Sequence, residues 1–382
     1  MTAAKNILPD PNTASDIWTG LEHETRPIVI YGMGDGADKI LYQCSRRHIE
    51  ISDFFASDDH VRGQSFHGKP VLRLQDVESR YGSDCLILIA FASSLPNVLK
   101  QIRDLRAKHA VLVPDTPVFG NTFFTKEFYR EHFERLSQVM DWLSDDPSRD
   151  LFTKLIRYKL SGDYASLDGT ESCANQILDK VLNMKDYRVA LDLGAYTGDS
   201  VAEWLDHAPE LKTVFAFEPD VHSQKKLSAY AESISDRVEL HVEPYAVWSE
   251  SGTLEFDANT RGNRNACVMD HYGDTVRDRK KKSRTVEAVS LDDWMTKNRL
   301  PWRVDLIKMD VEGSEKEVLK GCTKLFRTYA PDMQISLYHR PEDLFELPEA
   351  VHRSFPDAKM LIRRTPYVPA WDVNLFVIQN RT

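Results

Sequence analysis

Three side chains that can carry acid–base chemistry follow two predicted strands in the second half of the chain. Asp310 ends a strand predicted for residues 305–310 and Glu312 follows it, while His339 follows a strand predicted for 333–337. The carboxyl ends of parallel strands meet at one edge of a sheet, so we expect these three side chains to lie within reach of one another. Of the three, His339 titrates nearest to neutral pH, and we expect it to be the general base. Asp310 is expected to orient an acceptor or the ammonium group of a ligand.

Each of these residues also has a plainer interpretation. Asp310 could cap the helix that follows, Glu312 could be a first-turn acid facing the helix dipole, and His339 could be a loop histidine bonded to backbone. Ser314 and Glu317 have the spacing of a capping box for the same helix. Asp310, Glu312 and His339 also form a set that could hold a divalent metal. We do not favour a metal, because the sequence lacks a tight aspartate cluster.

A glycine-rich turn follows the strand predicted for residues 189–193. Gly194 and Gly198 let the backbone turn tightly and approach a ligand closely, and Asp192 and Asp199 place acids in the same turn. A cradle for pyrophosphate avoids carboxylates, whereas a cationic ligand favours them. The sulfonium and ammonium groups of S-adenosylmethionine (SAM) match this turn better than a dinucleotide does.

Further residues extend this predicted cofactor site. Glu218 follows the second strand (213–217), where a carboxylate can accept hydrogen bonds from both hydroxyls of a ribose. Tyr245 follows the third strand (238–242) and either stacks on an adenine or fills the core. The predicted cofactor-binding residues are Asp192, Gly194, Ala195, Tyr196, Gly198, Asp199, Ser200, Glu218, Pro219, Tyr245 and Ala246.

The order of predicted elements is β-α-β-α-β, a hairpin insertion and then β-α-β-α-β-β, the α/β plan of a class I methyltransferase sheet with Rossmann-like topology. The block Asp310-Val-Glu-Gly-Ser-Glu315, with Val318-Leu-Lys-Gly321 after it and Val289-Ser-Leu-Asp-Asp293 before it, resembles the FkbM family of SAM-dependent methyltransferases. The segment 335–344 is similar to one in many members, and the likeness covers about residues 187–380. The resemblance implies SAM as methyl donor and a hydroxyl acceptor on a sugar or a natural product.

The first half of the chain predicts a second, smaller Rossmann-like α/β domain. A strand at 27–31 leads into Gly32-x-Gly34-x-x-Ala37 and a helix, and further strands are predicted at 48–55, 85–91 and 110–113. This unit either binds a nucleotide or nucleotide sugar, or serves docking and oligomer contacts. The predicted divisions are an extension (1–25), this domain (26–113), a helical linker (114–182) and the methyltransferase domain (183–382).

The composition of the chain argues against several other classes of protein. The 382 residues are 42% hydrophobic and 28% charged, as expected for two globular domains. A net charge of −10 disfavours nucleic acid as a partner, and five scattered cysteines without a CxxC pair argue against a disulfide framework or a zinc site. With no apolar run of about 18 residues and no signal-peptide pattern, we expect a cytoplasmic protein without a membrane span.

Two other functions stay open at this point. The Gly32 turn could serve an NAD-type oxidoreductase or epimerase, although no Tyr-x-x-x-Lys pattern occurs in the first half. The chain could also be a non-catalytic nucleotide-sugar scaffold in polysaccharide assembly. Within the insertion, Arg261, Asn263, Arg264, Asn265 and the basic run 277–282 form either a solvated loop or a lid over the cofactor or an anionic acceptor.

Overall fold

The computed structural model describes residues 7–257, 267–268, 283–298 and 303–380. These residues build two largely parallel sheets, a smaller four-stranded sheet and the helices that cover them. Within these ranges, no helix has both the length and the apolar character needed to cross a bilayer.

The first sheet has six strands in the order β3-β4-β2-β1-β5-β6, and all neighbours are parallel except the β3–β4 pair. Its strands are β1 (Ile28–Tyr31), β2 (Asp53–Phe55), β3 (Ser65–Phe66), β4 (Lys69–Leu72), β5 (Leu86–Ile89) and β6 (Ala110–Leu112). Its helices are α1 (Ile17–Glu22), α2 (Asp35–Arg46), α3 (Leu74–Tyr81) and α4 (Pro96–Arg106), with a 3₁₀ turn at Asp58–His60. The strand predicted for 48–55 begins only at Asp53, and His48 adopts a left-handed conformation with φ of 56°. The β3–β4 hairpin and α3 were not predicted from the sequence.

Helices connect the two large sheets. They are α5 (Lys126–Trp142), α6 (Asp146–Ser161) and α7 (Ala174–Gln176), followed by a π-helix at Ile177–Leu182, with 3₁₀ turns at Tyr164–Leu167 and Met184–Asp186. Phe152 and Tyr158 of α6 are fully buried, and Trp142 stacks on His352 at 4.3 Å between ring centroids. The stacked pair therefore joins these helices to the second half of the chain.

The second large sheet has seven strands in the order β16-β17-β15-β14-β7-β8-β9. The strands of this half are β7 (Val189–Leu193), β8 (Thr213–Phe217), β9 (Glu239–Glu243), β10 (Ala246–Val247), β11 (Gly252–Asp257), β12 (Cys267–Val268), β13 (Ser283–Val289), β14 (Leu306–Met309), β15 (Asp332–Ser336), β16 (Lys359–Arg364) and β17 (Val373–Ile378). Strand β17 runs antiparallel to β15 and β16, while the remaining pairs of this sheet are parallel. The strand order confirms the predicted fold class.

Helices cover both faces of this sheet, and the central strands are therefore buried on both sides. They are α8 (Asp199–Trp204), α9 (Val221–Ser233), α10 (Leu291–Asn298), α11 (Glu315–Lys320), α12 (Thr323–Tyr329) and α13 (Asp343–Ser354). Every residue of β7 and β14 is buried. Strands β10–β13 form the four-stranded sheet of the insertion, in the order β10-β13-β11-β12.

The helix predicted after Asp310 is divided into α11 and α12. A Cβ added at Gly321 would lie 2.3 Å from the carbonyl oxygen of Trp248, so the chain passes close to the insertion at this point. The predicted capping box is wrong: Ser314 is the N-cap residue, but its side chain makes no capping hydrogen bond within the described structure. Instead, Asp292 accepts hydrogen bonds from the N–H groups of Lys324 and Leu325 at 2.8 Å and caps α12.

The turn after β7 depends on glycine at position 194. Gly194 has a φ of +81°, and an added Cβ would lie 2.0 Å from the carbonyl oxygen of Asp310. We expect Gly194→Ala to lower the free energy of unfolding by more than about 2 kcal/mol, because backbone strain and a steric clash add together. The measurement is urea denaturation followed by circular dichroism.

The matched control is Gly169→Ala. Gly169 has a similar φ of +78°, but an added Cβ would meet nothing within 4 Å. Its substitution should therefore cost only the conformational strain, about 1 kcal/mol. Equal losses for the two variants would contradict the close approach of Gly194 to Asp310.

Candidate functional site

A cavity of about 890 Å³ opens where β7, β8, β14 and β15 end. Both halves of the chain contribute to its wall, since Ala92 and Val118 line it together with residues of the second large sheet. The predicted site residues on the wall are Gly194, Tyr196, Asp199, Ser200, Glu218, Pro219, Tyr245, Ala246, Asp310 and Glu312.

The other predicted cofactor residues lie behind this wall. Ala195 is fully buried, and Gly198 begins α8 with its Cα facing the ring of Tyr230, where an added Cβ would approach to 2.5 Å. Asp192 is also fully buried. These three residues shape the turn from beneath, and their assignment to the cofactor site stays a prediction.

Asp192 has a buried cation beside it. The Nζ of Lys308 lies 3.2 Å from Asp192 Oδ1 and donates to the carbonyl oxygen of Gly194 at 3.2 Å. Burial raises the pKa of Asp192 above its usual range, and the positive charge of Lys308 opposes this rise. Burial alone would lower the pKa of Lys308, but the nearby carboxylates of Asp192 and Asp310 raise it. These carboxylates therefore stabilise the charged form of Lys308 at the base of the cavity.

Glu218 lies at the end of β8 and is held by two backbone groups. One carboxylate oxygen accepts from the N–H of Tyr196 at 3.0 Å, and the other accepts from the N–H of Asp220 at 2.7 Å. Burial raises its pKa to about 7, although both hydrogen bonds oppose the rise. A carboxylate oxygen has two lone pairs, so each oxygen can still accept from a ligand hydroxyl.

The structure brings Asp310, Glu312 and His339 together. The Nε2 of His339 lies 3.4 Å from Asp310 Oδ1 and 3.4 Å from Glu312 Oε2. Asp310 also accepts hydrogen bonds from the hydroxyls of Ser336 at 2.9 Å and Tyr338 at 3.1 Å. Asp310 and Glu312 face the cavity, whereas the His339 side chain is fully buried behind them. Glu312 adopts a φ of 57°, a strained conformation for a residue other than glycine.

Sequence reasoning missed two members of this cluster. Glu315 is fully buried, and its Oε1 lies 3.0 Å from His339 Nδ1. Asp343, at the start of α13, is also buried and accepts from the N–H of Arg340 at 2.8 Å. Glu315 lies in the same motif as Asp310, so a helical projection of that motif would have placed it on the inward face.

Burial and the charges of neighbouring side chains shift the pKa values of the residues in this cluster. Burial raises the pKa of Glu312 to about 7 and that of Asp343 to about 7. Burial disfavours the charged form of His339, but the carboxylates of Glu315 and Glu312 outweigh burial and raise its pKa well above the usual range. For Asp310, burial is outweighed by the charges of Lys308 and His339, which lower the pKa.

Segments distant in sequence complete the wall of the cavity. Residues 171–174 and 365–367 line it, together with Trp371 and Asp372. The first half of the chain supports this side: Ser93 and Val368 exchange backbone hydrogen bonds of 2.7 and 3.0 Å. The N–H groups of Val118 and Phe119 both donate to the carbonyl oxygen of His339 at 3.2 Å.

The predicted nucleotide site of the first half and the predicted lid stay predictions. The helix after the Gly32 turn begins at Asp35, and its first turn also carries Asp38, an arrangement that disfavours a phosphate at this end. Arg261, Asn263, Arg264, Asn265 and the run 277–282 lie outside the described residues.

Comparison with known families finds a match in the second half of the chain. Residues 192–365 match the family described as Methyltransferase FkbM domain. No curated protein matches the sequence.

Among solved structures, the crystal structure of methyltransferase FkbM from Methylobacillus flagellatus KT is similar over 97% of this chain and 94% of its own, with 18% identity and a TM-score of 0.64. This likeness extends to both halves and shows the fold. Two weaker similarities have TM-scores of 0.31. Precorrin-6y C5,15-methyltransferase from Geobacter metallireducens GS-15 is 12% identical over 53% of this chain and 85% of its own. Aeropyrum pernix fibrillarin with natively bound S-adenosyl-L-methionine is 11% identical over 54% of this chain and 73% of its own.

The Asp192–Lys308 pair yields a stability prediction. Lys308→Met leaves a fully buried carboxylate without its cation, and we expect a loss of about 3–5 kcal/mol in the free energy of unfolding. The double variant Asp192→Asn/Lys308→Met removes both charges and should recover most of that loss. Urea titration of the three proteins measures these differences.

Lys316→Met is the control, because Lys316 pairs with Glu346 at 2.8 Å while 45% of its side chain is exposed. Its loss should not exceed about 1 kcal/mol. If Lys308→Met were no more harmful than this control, the pair would not be an important support of the glycine turn.

Proposed function

We propose that this chain, which carries an FkbM methyltransferase domain over residues 192–365, transfers a methyl group from SAM to a hydroxyl of a sugar, glycoconjugate or natural product. The supporting observation is one cavity with a ribose-type carboxylate, Glu218, on one side and the acid pair Asp310 and Glu312 on another. The proposal combines the family match with the chemistry of these groups.

SAM would lie across the glycine turn. Glu218 would accept hydrogen bonds from the two ribose hydroxyls, and the adenine would extend towards Tyr245 and Ala246. The sulfonium and ammonium groups would then lie over Gly194, where Asp199 supplies negative charge. A cavity lined by several carboxylates stabilises a ligand with two positive charges.

Methyl transfer is a single displacement. The acceptor oxygen forms a bond to the methyl carbon while the carbon–sulfur bond breaks, and its electron pair stays on sulfur as S-adenosylhomocysteine forms. The hydroxyl proton passes to a wall carboxylate. We assign this role to Glu312, because it faces the cavity, whereas His339 is fully buried and acts through Glu312 and Asp310.

Other residues of the cavity wall support a hydroxyl-rich acceptor. Aromatic rings of Tyr338, Tyr367 and Trp371 line it together with the amide side chains of Gln334 and Asn374. Rings offer a face for the C–H groups of a sugar, and amides bond its hydroxyls. We propose that the Rossmann-like unit (26–113) and the linker (114–182) hold this wall in place, since Ala92 and Val118 belong to it.

Replacing Glu218 tests the cofactor assignment. Glu218→Gln should weaken SAM binding by about 1–3 kcal/mol, because a charged acceptor of two hydrogen bonds is lost. The pKa of Glu218 is raised to about 7, so its carboxylate is ionised above that pH and protonated below it. Wild-type affinity should therefore fall about tenfold from about pH 8 to pH 6, and the affinity of the variant should depend less on pH. Calorimetric titration at several pH values measures both effects.

The control is Glu210→Gln, an exposed acid away from the cavity, which should bind SAM like the wild type. A parallel titration with NAD tests the alternative oxidoreductase function. Binding of NAD without SAM, or no binding of either ligand, would refute the proposal.

Replacing Glu312 tests its proposed role as the acceptor of the hydroxyl proton. Glu312→Gln should keep its affinity for SAM and lower the rate of methyl transfer to an accepted sugar by about 10²-fold, because the variant cannot take up the hydroxyl proton. Mass spectrometry of the methylated product measures this rate. A variant with the wild-type rate would exclude Glu312 as the proton acceptor.

A further inference from the structure

Three side chains at and behind the cavity wall lie close enough together to hold a metal ion. Asp310, Glu315 and His339 each offer one such atom, and these atoms lie within 4.8 Å of one another. His339 lies between the two carboxylates, with Nδ1 3.0 Å from Glu315 Oε1 and Nε2 3.4 Å from Asp310 Oδ1, and one of these two nitrogens would bind the ion. A distance of 3.4 Å is long for a hydrogen bond but is usual between two ligands of one metal ion.

The buried polar atoms of this group are not satisfied by the described protein. Glu315 Oε2 and both ring nitrogens of His339 are buried, and among the described residues they have no hydrogen-bond partner of acceptable geometry. Both side chains are fully buried. Buried polar atoms are nearly always paired, so an unpaired carboxylate oxygen, beside an imidazole whose close contacts with carboxylates lack hydrogen-bond geometry, points to a bound ion or water.

The local charge favours a cation over a water molecule. Glu312 and Asp343 also lie in this cluster, so four carboxylates surround a single imidazole. The positive charges of Lys308, which pairs with Asp192 and also acts on Asp310, and of Arg340, which acts on Asp343, offset only part of this negative charge. An excess of buried negative charge is costly unless a positive charge compensates it.

The positions of the three side chains are fixed before any ion binds. Glu315 Oε1 accepts from the N–H of Val311 at 2.9 Å, and Asp310 accepts from Ser336 at 2.9 Å. The backbone of His339 is held by two N–H groups of the linker, from Val118 and Phe119. A preformed set of this kind binds an ion with little loss of conformational entropy.

We propose that Asp310, Glu315 and His339 bind a divalent transition-metal ion. Two carboxylates with one imidazole suit ions such as Mn²⁺ or Zn²⁺ better than Ca²⁺ or Mg²⁺, which prefer oxygen ligands alone. Asp310 is the member that faces the cavity, and 32% of its side chain is exposed, so an ion can enter from that side. If the proposed methyl transfer holds, the ion would polarise the acceptor hydroxyl beside Asp310.

The test is a titration of the full chain, freed of metal by a chelator, with Mn²⁺. Electron paramagnetic resonance counts the bound ions, and the experiment needs neither SAM nor an acceptor. We expect one Mn²⁺ per chain, with Asp310→Asn and His339→Gln each weakening binding by at least about tenfold. Circular dichroism shows whether each variant is folded. If Asp310→Asn does not fold, His339→Gln alone tests the metal site.

The matched control is Asp343→Asn, which removes a buried carboxylate of the same cluster that is not one of the three ligands. It should keep the affinity for Mn²⁺ within about threefold. Absence of binding to the folded wild type up to about 1 mM Mn²⁺, or equal losses in Asp310→Asn and Asp343→Asn, would overturn the proposal. A separate titration with SAM keeps failure of the metal site distinct from failure of the methyltransferase function.

Discussion

The contact between the turn after β7 and the end of β14 sets the geometry of the whole site. The N–H of Asp310 donates to the carbonyl oxygen of Leu193 at 3.0 Å, and the chain then turns at Gly194 directly against the carbonyl of Asp310. With any larger residue at position 194, the two strand ends would have to separate. This contact therefore fixes the distance between the glycine turn, where a nucleoside would lie, and the acids that face it.

Charge is distributed around this contact in two layers. Beneath the cavity, Asp192 and Lys308 form a buried pair that neutralises itself and supports the turn through the carbonyl of Gly194. At the surface of the cavity, Asp199, Glu218 and Glu312 remain available to a ligand. The inner layer serves stability and the outer layer presents negative charge, which explains how one small region can hold so many acids.

Much of this architecture could be predicted from the sequence, because it rests on local patterns. The strands at 189–193 and 213–217 were predicted with the bounds that the structure has, since continuous apolar runs mark buried strands. Local patterns failed where a distant contact decides the outcome. Gly321 breaks a helix because it meets Trp248, and Asp292 caps a helix far from it in sequence. The wall formed by residues 171–174 and 365–367 depends on contacts between the two halves, for which the sequence carries no periodic signal.

The central claim is that a sulfonium nucleoside lies on the turn at Gly194 with its ribose held by Glu218. A crystal structure of the protein with S-adenosylhomocysteine tests it most directly. The account predicts both ribose hydroxyl oxygens within about 3 Å of the Glu218 carboxylate, with the sulfur facing Asp310 and Glu312. Electron density for the ligand anywhere else, or a ribose turned away from Glu218, would contradict it.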